Sequence, residues 1–173
     1  MPRTRALAGS LIFLLIAPGT AGGLVPWLIN HWHFAPPLFG LEWTRWAGAA
    51  LIALGLVPLI ESFVRFALEG RGTPAPVVPT QRLVVGGFYR FVRNPMYVGV
   101  VTAIFGQGVF FADGRLFVYA AIVWVFMHLF IVAYEEPRLY HTYGAQYDDF
   151  RAHVPRWLPR LKPWNAYSAS SSR

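Results

Sequence analysis

Leu116-Phe117-Val118-Tyr119-Ala120-Ala121-Ile122-Val123-Trp124-Val125-Phe126-Met127-His128-Leu129-Phe130-Ile131-Val132-Ala133-Tyr134 runs nineteen residues without a charge and ends on Glu135-Glu136-Pro137. A membrane-spanning helix needs roughly 20 apolar residues, so the run reads as a span and the carboxylate pair as its exit. A shorter apolar stretch precedes it, at about 96–111. That stretch is introduced by the basic, proline-broken segment Gly87-Phe88-Tyr89-Arg90-Phe91-Val92-Arg93-Asn94-Pro95-Met96-Tyr97. The two stretches form an apolar hairpin that begins at arginines and ends at two glutamates. Charges at the mouth of a membrane hairpin are costly unless they bind something, so function is expected at this bracket.

Two further apolar stretches lie at about 6–29 and 43–68. Of the 173 residues, 55% are hydrophobic and 13% charged, with a mean hydropathy of +0.42. That is too little charge to clothe a water-soluble domain. The expected class is an all-α integral membrane protein with about four transmembrane helices. Thirteen of the fifteen Lys and Arg residues fall before the first stretch, at or between the ends of the second and third, or after the fourth; only Arg45 and Arg115 lie on the other side. The positive-inside rule then predicts both termini in the cytoplasm, in a multi-pass protein of the cell inner membrane. The net charge of +7 is mostly this topology signal, and such a rim also attracts anionic membrane lipids. Nucleic-acid binding is not expected, because the charge follows the loops and not one helix or motif. Cysteine is absent, which excludes disulfides, thiolate metal sites and thiol nucleophiles. No metal is expected: His31 and His33, beside Trp32 and Trp43, read as part of an interfacial aromatic belt. Arg3, Arg5, Leu11 to Ala17 and Gly19-Thr20-Ala21 resemble a cleavable signal peptide. The apolar sequence continuing through Leu24–Ile29 favours an uncleaved span.

Four parts follow along the chain: an N-terminal pair of spans (1–69), a linker with three prolines (70–80), a core with the hairpin and C-terminal segment (81–163), and a flexible tail (164–173). Pro18-Gly19, Gly22-Gly23 and Pro58 sit inside spans, where they kink helices or allow close packing. Glu61 is an acid within a span; Arg65, one turn on, is its expected partner.

Within the core, Gly86-Gly87 predicts a tight turn. Asn94-Pro95 predicts a helix start, with Asn94 as N-cap and Pro95 first in the helix. The free N–H groups there suit a carboxylate or phosphate. His128, Val132 and Glu135 or Glu136 fall on roughly one face, making His128 and Arg93 candidate substrate contacts. Tyr140, Tyr143, Tyr147 and Phe150 predict an amphipathic helix that either lies on the membrane surface or caps the hairpin. Val154-Pro155-Arg156-Trp157-Leu158-Pro159 turns back irregularly.

The segment from Gly87 to Gly99 resembles the Arg-His-Pro-x-Tyr region of the isoprenylcysteine carboxyl methyltransferase and phospholipid methyltransferase-like membrane families. Glu135-Glu136, Leu139, Gly144, Tyr147, Val154-Pro155 and Pro159 resemble the same families' C-terminal signature. The likeness covers about 81–159. It implies S-adenosyl-L-methionine as cofactor, bound at the cytoplasmic side by the last two spans and the C-terminal segment. By position, Gln81, Arg82, Leu83, Val84, Tyr89, Asn94, Pro95, Met96 and Tyr97 would line the cofactor pocket. Glu135 would contact the cofactor, with Glu136 beside it, and the amphipathic helix would complete the pocket. The implied function is methyl transfer to a lipophilic small molecule or lipid. Two positions depart from the pattern. Asn94 stands where the motif has His, and Ile131 where the isoprenylcysteine enzymes have an arginine that meets the substrate carboxylate. Two other readings compete: a non-catalytic accessory protein of the same fold, and a small transporter subunit in which Glu61 and His128 mark a polar path.

Overall fold

The computed structural model describes residues 3–66, 68 and 83–165. The linker 70–80, Gln81, Arg82 and the end of the tail (166–173) lie outside the described residues. Every regular element is helical among those described, and the protein is an all-α integral membrane protein. α1 (Arg3–Gly19) passes through a π-helical turn, Thr20–Leu24, into α2 (Val25–Asn30). α3 (Trp43–Arg65), α4 (Pro95–Phe111) and α5 (Gly114–Phe130) follow. A second π-turn, Ile131–Glu135, leads into α6 (Glu136–Tyr143), and α7 (Ala145–His153) ends the helical part.

Leu11–Asn30, Trp43–Arg65 and Gly114–Tyr143 are long and apolar enough to cross a membrane. α4, the third expected span, has 17 residues. At about 1.5 Å per residue that is about 26 Å, short of a hydrocarbon core of about 30 Å. Its apolar residues also pack the bundle. Met96, Val100, Ala103 and Ile104 are buried between α3 and α5. α3 meets α4 backbone to backbone. A Cβ added to Gly99 would lie 2.5 Å from the Gly55 carbonyl oxygen, and one on Gly55 would lie 2.5 Å from that of Gly99. Only glycine permits this approach.

Each π-turn precedes a proline, Pro26 or Pro137. Proline lacks the N–H that would bond four residues back, and its ring crowds that carbonyl, so the helix widens there. The freed carbonyls of the first turn find side-chain donors: Gln107 Nε2 donates to Gly22 O at 2.7 Å and Tyr119 Oη to Ala21 O at 2.9 Å. The expected pairing of Glu61 is present: Arg65 Nε lies 2.6 Å from Glu61 Oε1.

At the far end from Glu135, Asp113 caps α5, accepting from Arg115 N at 2.9 Å. It also accepts from Asn30 Nδ2 at 2.7 Å, which ties α2 to the α4–α5 turn. The Arg115 guanidinium, hydrogen-bonded to it, holds the Asp113 carboxyl well below the usual carboxylate range. Asp113→Ala is expected to destabilise the fold by about 1–2 kcal/mol through the lost cap, read as a lower unfolding midpoint in detergent. Asp113→Asn, which keeps an acceptor oxygen at the cap, is expected to lose less.

The capping helix expected across Tyr140–Phe150 is two helices. Gly144, at φ +52° and ψ −127°, breaks it. α6 continues the last span, and α7 turns to pack against 83–89.

Candidate functional site

The two ends of the apolar hairpin meet. Tyr97, in the first turn of α4, donates from its hydroxyl to Glu135 Oε2 at 2.9 Å. Beside it, Glu136 is held by two arginines. Arg93 Nη1 donates to Oε1 at 3.0 Å, and Arg156 Nε and Nη2 donate to Oε1 and Oε2 at 2.7 and 2.9 Å. Nothing in the spacing of the sequence marks Arg156 as the third member. It arrives because the C-terminal strap, 154–165, runs back along 90–94. Backbone hydrogen bonds from Arg93 N to Pro155 O (2.8 Å), Arg160 N to Phe91 O (2.9 Å) and Trp164 N to Arg90 O (2.9 Å) fix it there. Arg90 adds bonds to Trp164 O and to the Asn165 side chain. Trp164, expected in the flexible tail, is buried against Phe150 with Val84, Tyr89 and Tyr147.

Asn94 occupies the N-cap position and Pro95 the first helical one, as expected, but the Asn94 side chain makes no capping bond. With φ −123° and ψ 57°, its amide instead donates to Arg156 O at 3.1 Å. It secures the strap, and the first-turn N–H groups of α4 are left for another acceptor.

These groups form one end of a cavity of about 670 Å³. Leu83, Val84, Tyr89, Arg93, Asn94, Met96, Tyr97, Glu135 and Glu136 all border it, so most of the residues expected at the cofactor come together. Pro95 is buried beneath them at the helix start. Burial pushes the Tyr89 phenol well above its ordinary pKa, so it stays neutral. The rest of the wall is mostly apolar and comes from α1, from one face of α5 down to Tyr119, and from α6 and α7 beyond the glutamates. No amphipathic pattern announces that face, since α5 is apolar all round.

His128 is placed elsewhere. It does not border the cavity. Its ring packs against both Trp124 and Trp157, which also touch each other, and its Nδ1 accepts from Trp157 Nε1 at 3.1 Å. The π-turn accounts for the difference: it adds a residue to one turn and breaks the single face expected from His128 to the glutamates.

Fold and site together define an all-helical membrane protein with an apolar cavity, closed at one end by interlocked carboxylates, arginines and a tyrosine. Residues 43–146 match the phospholipid methyltransferase family, and the chain belongs to it. The chain is 28% identical over 172 residues to "Methanethiol S-methyltransferase 2" of Bradyrhizobium diazoefficiens, covering 91% of this chain and 59% of that protein. It is 29% identical over 131 residues to "Protein-S-isoprenylcysteine O-methyltransferase" of Rattus norvegicus (75% of this chain, 46% of that one). The Mus musculus protein of the same name is 36% identical over 84 residues (48% and 29%). The match thus spans less than two thirds of the length of each of these curated relatives.

Proposed function

We propose that this chain transfers a methyl group from S-adenosyl-L-methionine to a lipophilic small molecule or lipid at the cytoplasmic membrane face. The observation that carries the reading is the junction of two unlike surfaces: a polar mouth built on Tyr97–Glu135 and a long apolar cavity behind it. At about 670 Å³ the cavity lies within the range of small-molecule sites, roughly 300–1,000 Å³. The residues present suit the cofactor. Glu135 offers a carboxylate to its ammonium or ribose hydroxyls, and the uncapped N–H groups after Asn94 suit its carboxylate. Leu83, Val84 and Tyr89 offer an apolar and aromatic edge to its adenine. Gln81 and Arg82 remain candidates by resemblance.

When bound, that cofactor supplies a methyl group on a positively charged sulfur, and transfer joins the methyl carbon to the acceptor as the carbon–sulfur bond breaks. The chain's own part is to hold, align and dry. Arg93, Glu136 and Arg156 lock the strap over the mouth, and no side-chain nucleophile is needed. Ile131, 1% exposed, leaves no cation for an acceptor carboxylate at that position, which favours a neutral acceptor. The loop charges support a cytoplasmic mouth. The methanethiol relative, matched over 91% of this chain, supports a small apolar thiol as a second acceptor class.

Titration of the full chain in detergent with S-adenosylhomocysteine tests the reading. Wild type is expected to bind saturably. Glu135→Ala is expected to weaken binding roughly ten- to hundredfold, as for loss of a hydrogen bond between charged groups. No binding, or an unchanged affinity in Glu135→Ala, overturns it. Mass spectrometry of lipids and thiols incubated with a labelled methyl donor then separates an enzyme from an accessory protein that binds without transfer.

A further inference from the structure

We propose that the groove between α1 and α5 holds a single apolar tail of the methyl acceptor, and that Tyr119 sets the longest tail admitted. The proposal rests on the reading of the mouth as a methyl-donor site.

Tyr119, Val123, Met127, Ile131 and Glu135 recur every fourth residue along α5 and its π-turn, and all border the cavity. From Tyr119 to Glu135 is sixteen residues, about 24 Å at the helical rise. The charged residues on the cavity wall, Arg93, Glu135, Glu136 and Arg138, all stand towards one end; the remainder is apolar apart from tyrosines and single amide and hydroxyl groups. That is the polarity of an amphiphile with its head at the mouth and its tail inside. A molecule without a tail leaves most of the groove unfilled.

The groove has a built floor. α2 packs against α5, whereas α1 packs against α3, so the two walls part from Ala21 towards the mouth. The π-turn ahead of Pro26 lies where they meet. There the Tyr119 hydroxyl donates to Ala21 O at 2.9 Å, and Gln107 donates to the adjacent Gly22 O at 2.7 Å. Swinging the phenol aside would leave that carbonyl without its donor, at a cost, so Tyr119 acts as a fixed stop. One flank stays open: Ile122 and Phe126 border the cavity yet are 60% and 70% exposed. A tail can therefore slide in sideways from the bilayer without passing the charged mouth.

The test uses linear alcohols from decyl to octadecyl that carry a photoreactive diazirine at the chain end. The full chain in detergent with S-adenosylhomocysteine is labelled, digested and mapped by mass spectrometry. Labelling at Ala21 and Tyr119 is expected to peak at one chain length. In Tyr119→Ala the peak is expected to move to tails longer by roughly two to four methylene groups, the space the lost phenol opens. In Val123→Trp, which fills the groove higher up, it is expected to move to shorter tails. Should Tyr119→Ala fail to fold, Val123→Trp decides alone. Labels spread over the span exteriors alike at every length, or a peak that the folded variants do not move, overturn the proposal. S-adenosylhomocysteine affinity measured on the same samples keeps the two readings apart: its absence in wild type defeats the donor site, whereas its persistence with an unmoved peak defeats only the tail groove.

Discussion

Glu136→Ala is expected to lower stability by about 3 kcal/mol, the lower part of the range for breaking a buried ion pair by removing one partner. The Glu136 side chain is 12% exposed, Arg93 11% and Arg156 29%. Alanine would leave two guanidinium groups facing each other with no carboxylate between them. Arg93 is poorly placed to find a substitute, since its Nε is already buried without a hydrogen-bond partner among the described residues. The lower figure applies because Arg156 keeps some access to water, which screens it. For a chain of this size each kcal/mol moves the unfolding midpoint by roughly 2–4 °C, so a fall of roughly 6–12 °C is expected in detergent. Glu136→Gln, isosteric but uncharged, is expected to fall between alanine and wild type. Adding Arg156→Met to Glu136→Ala should recover part of the loss, because it removes one stranded cation; the shortfall from additivity measures the coupling. The strap should also loosen, so S-adenosylhomocysteine binding is expected to weaken even where the variant remains folded. A midpoint within a degree or two of wild type would show the triad to be solvated and not structural.

The hairpin and its bracket are legible in the sequence because they rest on local signals. Run lengths without charge mark the apolar helices, Asn94-Pro95 marks the start of α4, and Glu135-Glu136-Pro137 ends an apolar run. That Arg93 and Tyr97 meet Glu136 and Glu135 follows once the hairpin closes, since both ends lie on one side. The remainder depends on contacts distant in sequence. Arg156 reaches Glu136 only through the strap's backbone bonds to 90–94. The Asn94 amide serves that strap and not the helix start because Arg156 O lies within its reach. The π-turns have a sequence signal, a proline a few residues into continued apolar helix. It predicts a disturbance but not its form, and the form decides that His128 turns away from the cavity while Glu135 faces it. Hydropathy alone does not distinguish α4 as a span from α4 as a packing helix: a helix in the centre of a bundle is as apolar as one in lipid, and its 17 residues stand at the short end of what a span needs.

Gly99→Leu is expected to be among the most damaging single changes in the apolar bundle. The helices α3 and α4 touch through backbone at this point. A Cβ at Gly99 would stand 2.5 Å from Gly55 O and 3.1 Å from the Leu59 backbone nitrogen. No side chain can rotate out of the way, so the helices must separate. Overpacking of a core costs about 1–3 kcal/mol and occasionally more; a Cβ and isobutyl group set against main chain belong at or above the top of that range. Gly99→Ala already introduces the Cβ and should account for a large share of the loss. Gly22→Ala and Gly23→Ala, where an added Cβ meets nothing within 4 Å, are the matched controls and should change the midpoint little. The consequence reaches the site. α4 carries Asn94 to Tyr97 at its start, one turn from Gly99, whereas Glu135 belongs to α5. Moving α4 off α3 would therefore shift Tyr97 against Glu135, and S-adenosylhomocysteine affinity should fall along with stability. The glycine controls, by contrast, should keep it. Should Gly99→Leu unfold at the wild-type midpoint and keep full affinity, the close seam between α3 and α4 would not be what positions the mouth.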